Sequence, residues 1–123
     1  MTTSDPSTGA VALHDLGRLL SEDVSQAEGV CEIAVHETPY ARTRLIRIPM
    51  DTKYQSPVMA HEEHNLLVLE GCATTIIDDV RQTAGSGHFL SIEPGATLIV
   101  WNESSATWSA LSMVVPPDQP HDG

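Results

Sequence analysis

Histidines and carboxylates crowd into one stretch of this sequence, His61-Glu62-Glu63-His64, and such a cluster invites either metal ligation or proton transfer. The zinc-protease helix signature needs two histidines four residues apart on one helical face, whereas these are three apart and lead into the strand-like run Asn65 to Leu69. On a strand, that separation sends the two rings to opposite faces. Only a loop or bulge at Glu62-Glu63 would bring His61 and His64 together, with His88 or Glu62 as a third ligand, since a catalytic metal needs three or more protein ligands. Glu62 and Glu63 otherwise read as a solvated loop.

A second concentration of chemistry lies just upstream. The 123 residues carry 6 basic and 17 acidic side chains, a formal charge of −11, yet four of the six cations, Arg42, Arg44, Arg47 and Lys53, fall within one short segment whose only acid is Asp51. The plain reading is a salt-bridged strand in an acidic protein; the sharper one is an anchor for an anionic ligand. Arg44 and Arg47 lie on opposite faces of a strand, so at most one points inward, and an inward arginine among apolar walls requires a carboxylate or phosphate partner. Tyr54 and Gln55 add a hydroxyl and an amide nearby. Trp101 and Trp108 hold most of the aromatic surface of a chain with only five aromatics, and serve as a substrate platform, core or subunit-interface residues. Glu93 reads as an exposed turn residue. No phosphate-cradling glycine loop, nucleophile elbow or Cys-His pair is recognisable.

The elements that position these groups are short. After a polar start at residues 1 to 9, Leu13, Leu16 and Leu20 form a one-sided stripe that predicts a helix over Ala10 to Leu20, with a linker to Gly29. From there the chain reads as strands divided by turn residues: Val30 to His36, Arg42 to Ile48, Asn65 to Leu69, Ala73 to Ile77, Val80 to Thr83, His88 to Ile92, Thr97 to Trp101 and Trp108 to Val115. Asp78-Asp79 is placed as a tight hairpin turn, because aspartate tolerates the left-handed backbone region. The fold class is therefore all-β, a sandwich or barrel over residues 30 to 115, with both termini (1 to 9 and 116 to 123) expected to be disordered.

Val68-Leu69-Glu70-Gly71, the Asp78-Asp79 turn, Gly87, Gly95 and Asn102 are spaced as in the cupins, and residues 42 to 115 resemble that superfamily. The resemblance implies a double-stranded β-helix (jelly-roll barrel), small-molecule metabolism and frequent homodimers. It does not carry the usual metal ligands across. His64 stands where the family has its glutamate, Leu98 where it has the second-motif histidine, and the histidine-x-histidine pair falls on Pro57 and Met59, or on Val58 and Ala60 with a loop one residue shorter. By this correspondence His64 points into the barrel with Met59 and Leu98 as apolar neighbours. An imidazole desolvated by such walls stays neutral and suits a general base; the bland alternative is a buried histidine bonded to a backbone carbonyl.

The composition narrows the partners. Net acidity opposes binding to nucleic acid or an anionic membrane, and no apolar run approaches the roughly 20 residues of a membrane helix. Cys31 and Cys72 suit a reduced compartment, and a cytoplasmic location without a signal peptide is the expectation. The preferred reading is a metal-independent, cofactor-free cupin enzyme of isomerase, cyclase or dehydratase type, with His64 as catalytic base. Met59, Leu98, Arg44, Arg47, Tyr54, Gln55, Trp101 and Trp108 are the residues expected to contact a small organic ligand, with an anion as the candidate. Two rivals stand beside it: a metal-dependent oxygenase or isomerase using His61, His64 and His88, and a non-catalytic ligand-binding or sensory barrel.

Overall fold

The computed structural model describes residues 13–24, 27, 29–56 and 61–115. The expectations for the terminal segments, and the assignment of Met59 to the ligand site, lie outside these residues.

Among the described residues one short helix precedes nine strands: α1 (Leu16–Leu20), β1 (Cys31–Glu37), β2 (Arg42–Ile48), β3 (Thr52–Ser56), β4 (Glu63–Glu70), β5 (Cys72–Ile77), β6 (Val80–Gly85), β7 (Phe89–Ile92), β8 (Leu98–Asn102) and β9 (Trp108–Val115). They form two antiparallel sheets, β1-β2-β9-β4-β7 and β3-β8-β5-β6, facing each other as a jelly roll. Alternation puts Ile46, Ile48, Leu66, Val68, Leu98, Val100, Trp108 and Ala110 between the sheets, where they form one continuous core. The burial of these side chains, at roughly 1.5–3 kcal/mol for each large one, is the main force closing the barrel.

Two elements differ from the sequence reading. The helix begins at Leu16 because the Asp15 side chain accepts a hydrogen bond from the Arg18 N–H (3.0 Å), an N-cap that fixes the start three residues after Leu13. Leu13 is consequently 95% exposed and is no part of an apolar stripe. The strand β3 is absent from the sequence reading, because Thr-Lys-Tyr-Gln-Ser lacks an apolar alternation. Its register with β8, Thr52 opposite Asn102 through Ser56 opposite Leu98, is set by pairing with an already buried neighbour.

The turn residues behave as their chemistry requires. Asp78 and Asp79 adopt φ of 46° and 68°, both left-handed, and close the β5–β6 hairpin where Ile77 pairs with Val80. Asp78 also accepts from the Thr97 N–H at 2.9 Å, tying this turn to the start of β8. Asn102 is fully buried and donates to the carbonyls of Ile48, Pro49 and Ala106, while its own oxygen accepts from Ser104. This side chain takes the place of backbone ladder bonds where β2, β3 and the loop before β9 converge.

Candidate functional site

At one end of the barrel the apolar core gives way to polar side chains. A cavity of about 250 Å³ is lined by Glu32, Arg42, Arg44, Tyr54, Gln55, Ser56, His64, Ser112 and Val114. Its walls follow from strand parity. On β2, Arg42 and Arg44 share the inward face with Ile46 and Ile48; on β9, Ser112 and Val114 continue the inward row of Trp108 and Ala110; on β4, His64 precedes Leu66 and Val68. The same strands thus supply core at one end and chemistry at the other.

His64 is 3% exposed, and its Nε2 lies 2.7 Å from the Ser112 Oγ, itself buried. Its partner is therefore a side-chain hydroxyl rather than a backbone carbonyl. Burial pushes the imidazole pKa below its usual value; Glu62 opposes this and Arg42 reinforces it. The ring is neutral at pH 7 as a result. Burial, with the charge of Glu32, raises the Tyr54 pKa, so its phenol remains a hydrogen-bond donor at any physiological pH.

The arginines are held without being saturated. One terminal nitrogen of Arg42 meets both Glu62 oxygens at 3.0 Å, and Arg44 sends its Nε and one terminal nitrogen to Glu37 at 3.1 and 2.9 Å. A guanidinium carries five N–H donors, so each retains some for a ligand. The lining itself holds two cations, each ion-paired with a carboxylate outside it, and one carboxylate of its own, Glu32.

The structure corrects several site assignments. Arg47 does not contact the cavity. It faces the other side of β2, donates to Ser109 and Glu70 at 3.0 Å each, and reaches the carbonyls of Leu19, Leu20 and Glu22, so it fastens the end of α1 to the five-stranded sheet. Trp101 lies on the outer face of the four-stranded sheet beside Lys53, Ile76, Arg81 and Ile99. Trp108 is wholly buried and donates to the Ala84 carbonyl at 3.1 Å, a core position with no access to ligand. Leu98 is buried and borders only a small secondary cleft on the other side of His64, with Ser56, Glu62, Ile92, Glu93 and Ala96. Leu98, with Ile92 and Ala96, does give His64 apolar neighbours in that cleft, while mostly polar groups line the larger cavity on its other side.

The rearranged histidine site does not assemble. His61 is exposed in the turn before β4. His88 is also exposed, and its Nδ1 accepts from the Gly85 N–H at 2.8 Å. Because Ile92 pairs with His64, His88 lies four residues further along, roughly 13 Å away at strand spacing. Among the described residues no group of three or more His, Cys, Asp or Glu side chains is placed to hold a metal ion. The donor set at the cupin metal position, with His64 as its one ligating group among the described residues and Leu98 in place of a histidine, does not fit a divalent metal.

Sequence reasoning missed Glu32, Arg42, Ser56, Ser112 and Val114 as lining residues. Two were detectable. Arg42 shares strand parity with Arg44, and Ser112 is a polar residue at an inward position of the otherwise apolar β9. The alternation of β1 sets Glu32 on the face away from Cys31 and Ile33, with no signal that the barrel mouth curves around it.

No family model and no curated protein matches the sequence. Solved structures do match. They include TT1209 from Thermus thermophilus (20% identity over 86% of this chain and 98% of that one, TM-score 0.76). They also include the Cnp3 cupin domain of Schizosaccharomyces pombe (11% identity, 80% and 71%, TM-score 0.68). A third is a conserved protein with a double-stranded β-helix domain from Klebsiella pneumoniae (17% identity, 75% and 81%, TM-score 0.70). The chain has the double-stranded β-helix fold of these structures. At these identities the likeness speaks for the fold and leaves the chemistry to the residues themselves.

Proposed function

We propose that this barrel binds a small carboxylate and performs metal-independent proton transfer on it with His64 as general base. The observation that carries this reading is the buried His64–Ser112 pair in the wall of a cavity that also presents Arg42 and Arg44. A neutral imidazole accepts a proton near pH 7, and isomerisation, cyclisation and dehydration each begin with such a transfer. Arg42 and Arg44 would hold the carboxylate. Glu32 lines the same cavity from the neighbouring strand β1, which favours a ligand that carries a hydroxyl or amino donor as well. At about 30 Å³ per water, the cavity has room for the equivalent of about eight waters, so the ligand is a compact metabolite. The reading includes the homodimer implied by the cupin resemblance. Leu111, Leu67 and Phe89 form a cross-strand row on the outer face of the five-stranded sheet, with Phe89 58% exposed, an apolar surface suited to a second copy. A reduced, cytoplasmic setting is likewise part of the proposal. Among the described residues no helix is long and apolar enough to cross a membrane.

The test is a titration of the full-length protein with C2–C5 hydroxy-, amino- and unsubstituted carboxylates, followed through the His64 ring resonances. Hydroxy- or aminocarboxylates should shift those resonances saturably and bind more tightly than their unsubstituted counterparts. Arg42→Gln should weaken that binding on the order of 10-fold or more, the loss of one charge-assisted contact. If no carboxylate perturbs His64, or if Arg42→Gln leaves affinity unchanged, the reading is wrong.

A further inference from the structure

The hydrogen-bond partner of the His64 base is another side chain of the protein. Ser112 Oγ is 2.7 Å from Nε2, well within the reach of proton transfer, and both side chains are buried in the cavity wall. Directly opposite Ser112 on β2 is Arg44, and directly opposite it on β4 is Leu66. A guanidinium is a donor with no acceptor, so the acceptor available to the Ser112 hydroxyl proton in this pair is the imidazole nitrogen. In the tautomer with Nε2 unprotonated, the serine hydroxyl donates to a neutral imidazole beside a cation on the neighbouring strand, the arrangement of an activated oxygen nucleophile. His64 is held by its strand on both sides, in register with Val114 of β9 and Ile92 of β7, which fixes the ring relative to Ser112.

We propose that Ser112 and His64 form a nucleophile–base dyad that hydrolyses small carboxylate-bearing esters, a further activity of the cavity that rests on His64 acting there as a base. In the first step the Oγ–H proton passes to His64 Nε2 as Oγ bonds to the acyl carbon, and the carbonyl electron pair moves onto its oxygen. Collapse of that adduct breaks the bond to the leaving alcohol, which takes the proton from Nε2. Water then gives a proton to Nε2 and attacks the acyl carbon, and Ser112 leaves with that proton. No metal or redox partner enters the balance. Arg44 is the cation nearest in register to the reacting oxygen, and its remaining donors suit both a developing oxyanion and a substrate carboxylate.

The probe is a small alkyl fluorophosphonate, which phosphonylates an activated serine by displacing fluoride, with the adduct located by peptide mass spectrometry. The expected result is an adduct on Ser112, with a labelling rate that falls as His64 becomes protonated in acid. In His64→Gln the rate should drop on the order of 100-fold, the share of a general base. Ser112→Cys offers a second route should His64→Gln not fold: its alkylation by iodoacetamide should follow the ionisation of His64 rather than that of an ordinary thiol near pH 8.5. Absence of label on Ser112 in the folded protein, or a cysteine that titrates as an ordinary thiol, overturns the dyad. If carboxylates still shift the His64 resonances in that case, base catalysis in the cavity stands and only the nucleophile role is lost; if they do not, both readings fall.

Discussion

Replacing Arg47 with alanine should lower the unfolding free energy by about 3 kcal/mol, because its guanidinium is 4% exposed and satisfies five acceptors at once. Hydrogen bonds to charged groups contribute about 1.5–3 kcal/mol each in isolation, but the Glu70 carboxylate they leave behind is 36% exposed and regains water, which limits the loss. The three carbonyls at the end of α1 have no replacement donor on β2. The helix should therefore detach before the barrel melts, and limited proteolysis should cut the variant between Arg18 and Asp23 at a denaturant concentration that spares the wild type. Arg44→Ala is the control. Its ion pair with Glu37 joins two side chains that are each more than 40% exposed, a class worth below about 1 kcal/mol. Equal denaturation midpoints for the two variants would show that Arg47 is no clasp.

Gly71→Ala should cost about 3 kcal/mol or more, for two separable reasons. Gly71 sits at φ of 84°, a left-handed conformation that costs a residue with a Cβ roughly 1–2 kcal/mol. The added Cβ would also lie 2.5 Å from the Thr107 carbonyl oxygen and 2.8 Å from the Trp108 Cα, both backbone atoms that cannot swing aside. Those atoms open β9, the strand that carries Trp108 and Ser112, so the damage should reach the cavity as well as the core. Gly87→Ala separates the two causes. Gly87 has nearly the same φ, 88°, with open space where its Cβ would be, and should show the conformational cost alone. Urea denaturation of both variants gives the comparison, and a Gly71→Ala loss no larger than that of Gly87→Ala would remove the steric part of the argument.

Much of the fold was legible because its signals are local. Arg42 to Ile48 and Trp108 to Val115 have the bounds read from sequence, as short runs rich in strand-forming residues between turn signals, and Asp78-Asp79 makes the turn its chemistry requires. β3 was hidden since its strand character comes from pairing with β8 rather than from its own residues. The helix is shorter than its apolar stripe predicts because Leu13 matches a period that the Asp15 cap overrides. At the site, the exclusion of at least one of Arg44 and Arg47 from the interior followed from parity alone. Which of them faces inward depends on how β2 meets β9, information that no single strand contains. The tryptophans illustrate the same limit: their size marked them as important, yet one went to the core and the other to an outer sheet face. Ser112, the partner that gives His64 its chemistry, lies 48 residues away in sequence, a distance at which only the folded sheet can join them.

A neutral, cavity-facing His64 is the central requirement, and a pH titration of its ring by NMR measures that directly. Burial lowers its folded pKa below the value of 6.5 expected for the unfolded chain, so the native state binds fewer protons than the unfolded state between those two values. His64 should therefore titrate with a midpoint below 6.5, and its share of stability, complete above 6.5, should be lost as pH falls toward the folded pKa. His64→Gln should show a correspondingly smaller loss of stability on acidification over that window. A midpoint at or above 6.5 would mean that the imidazole is solvated or ion-paired, and would contradict a buried base in the cavity wall.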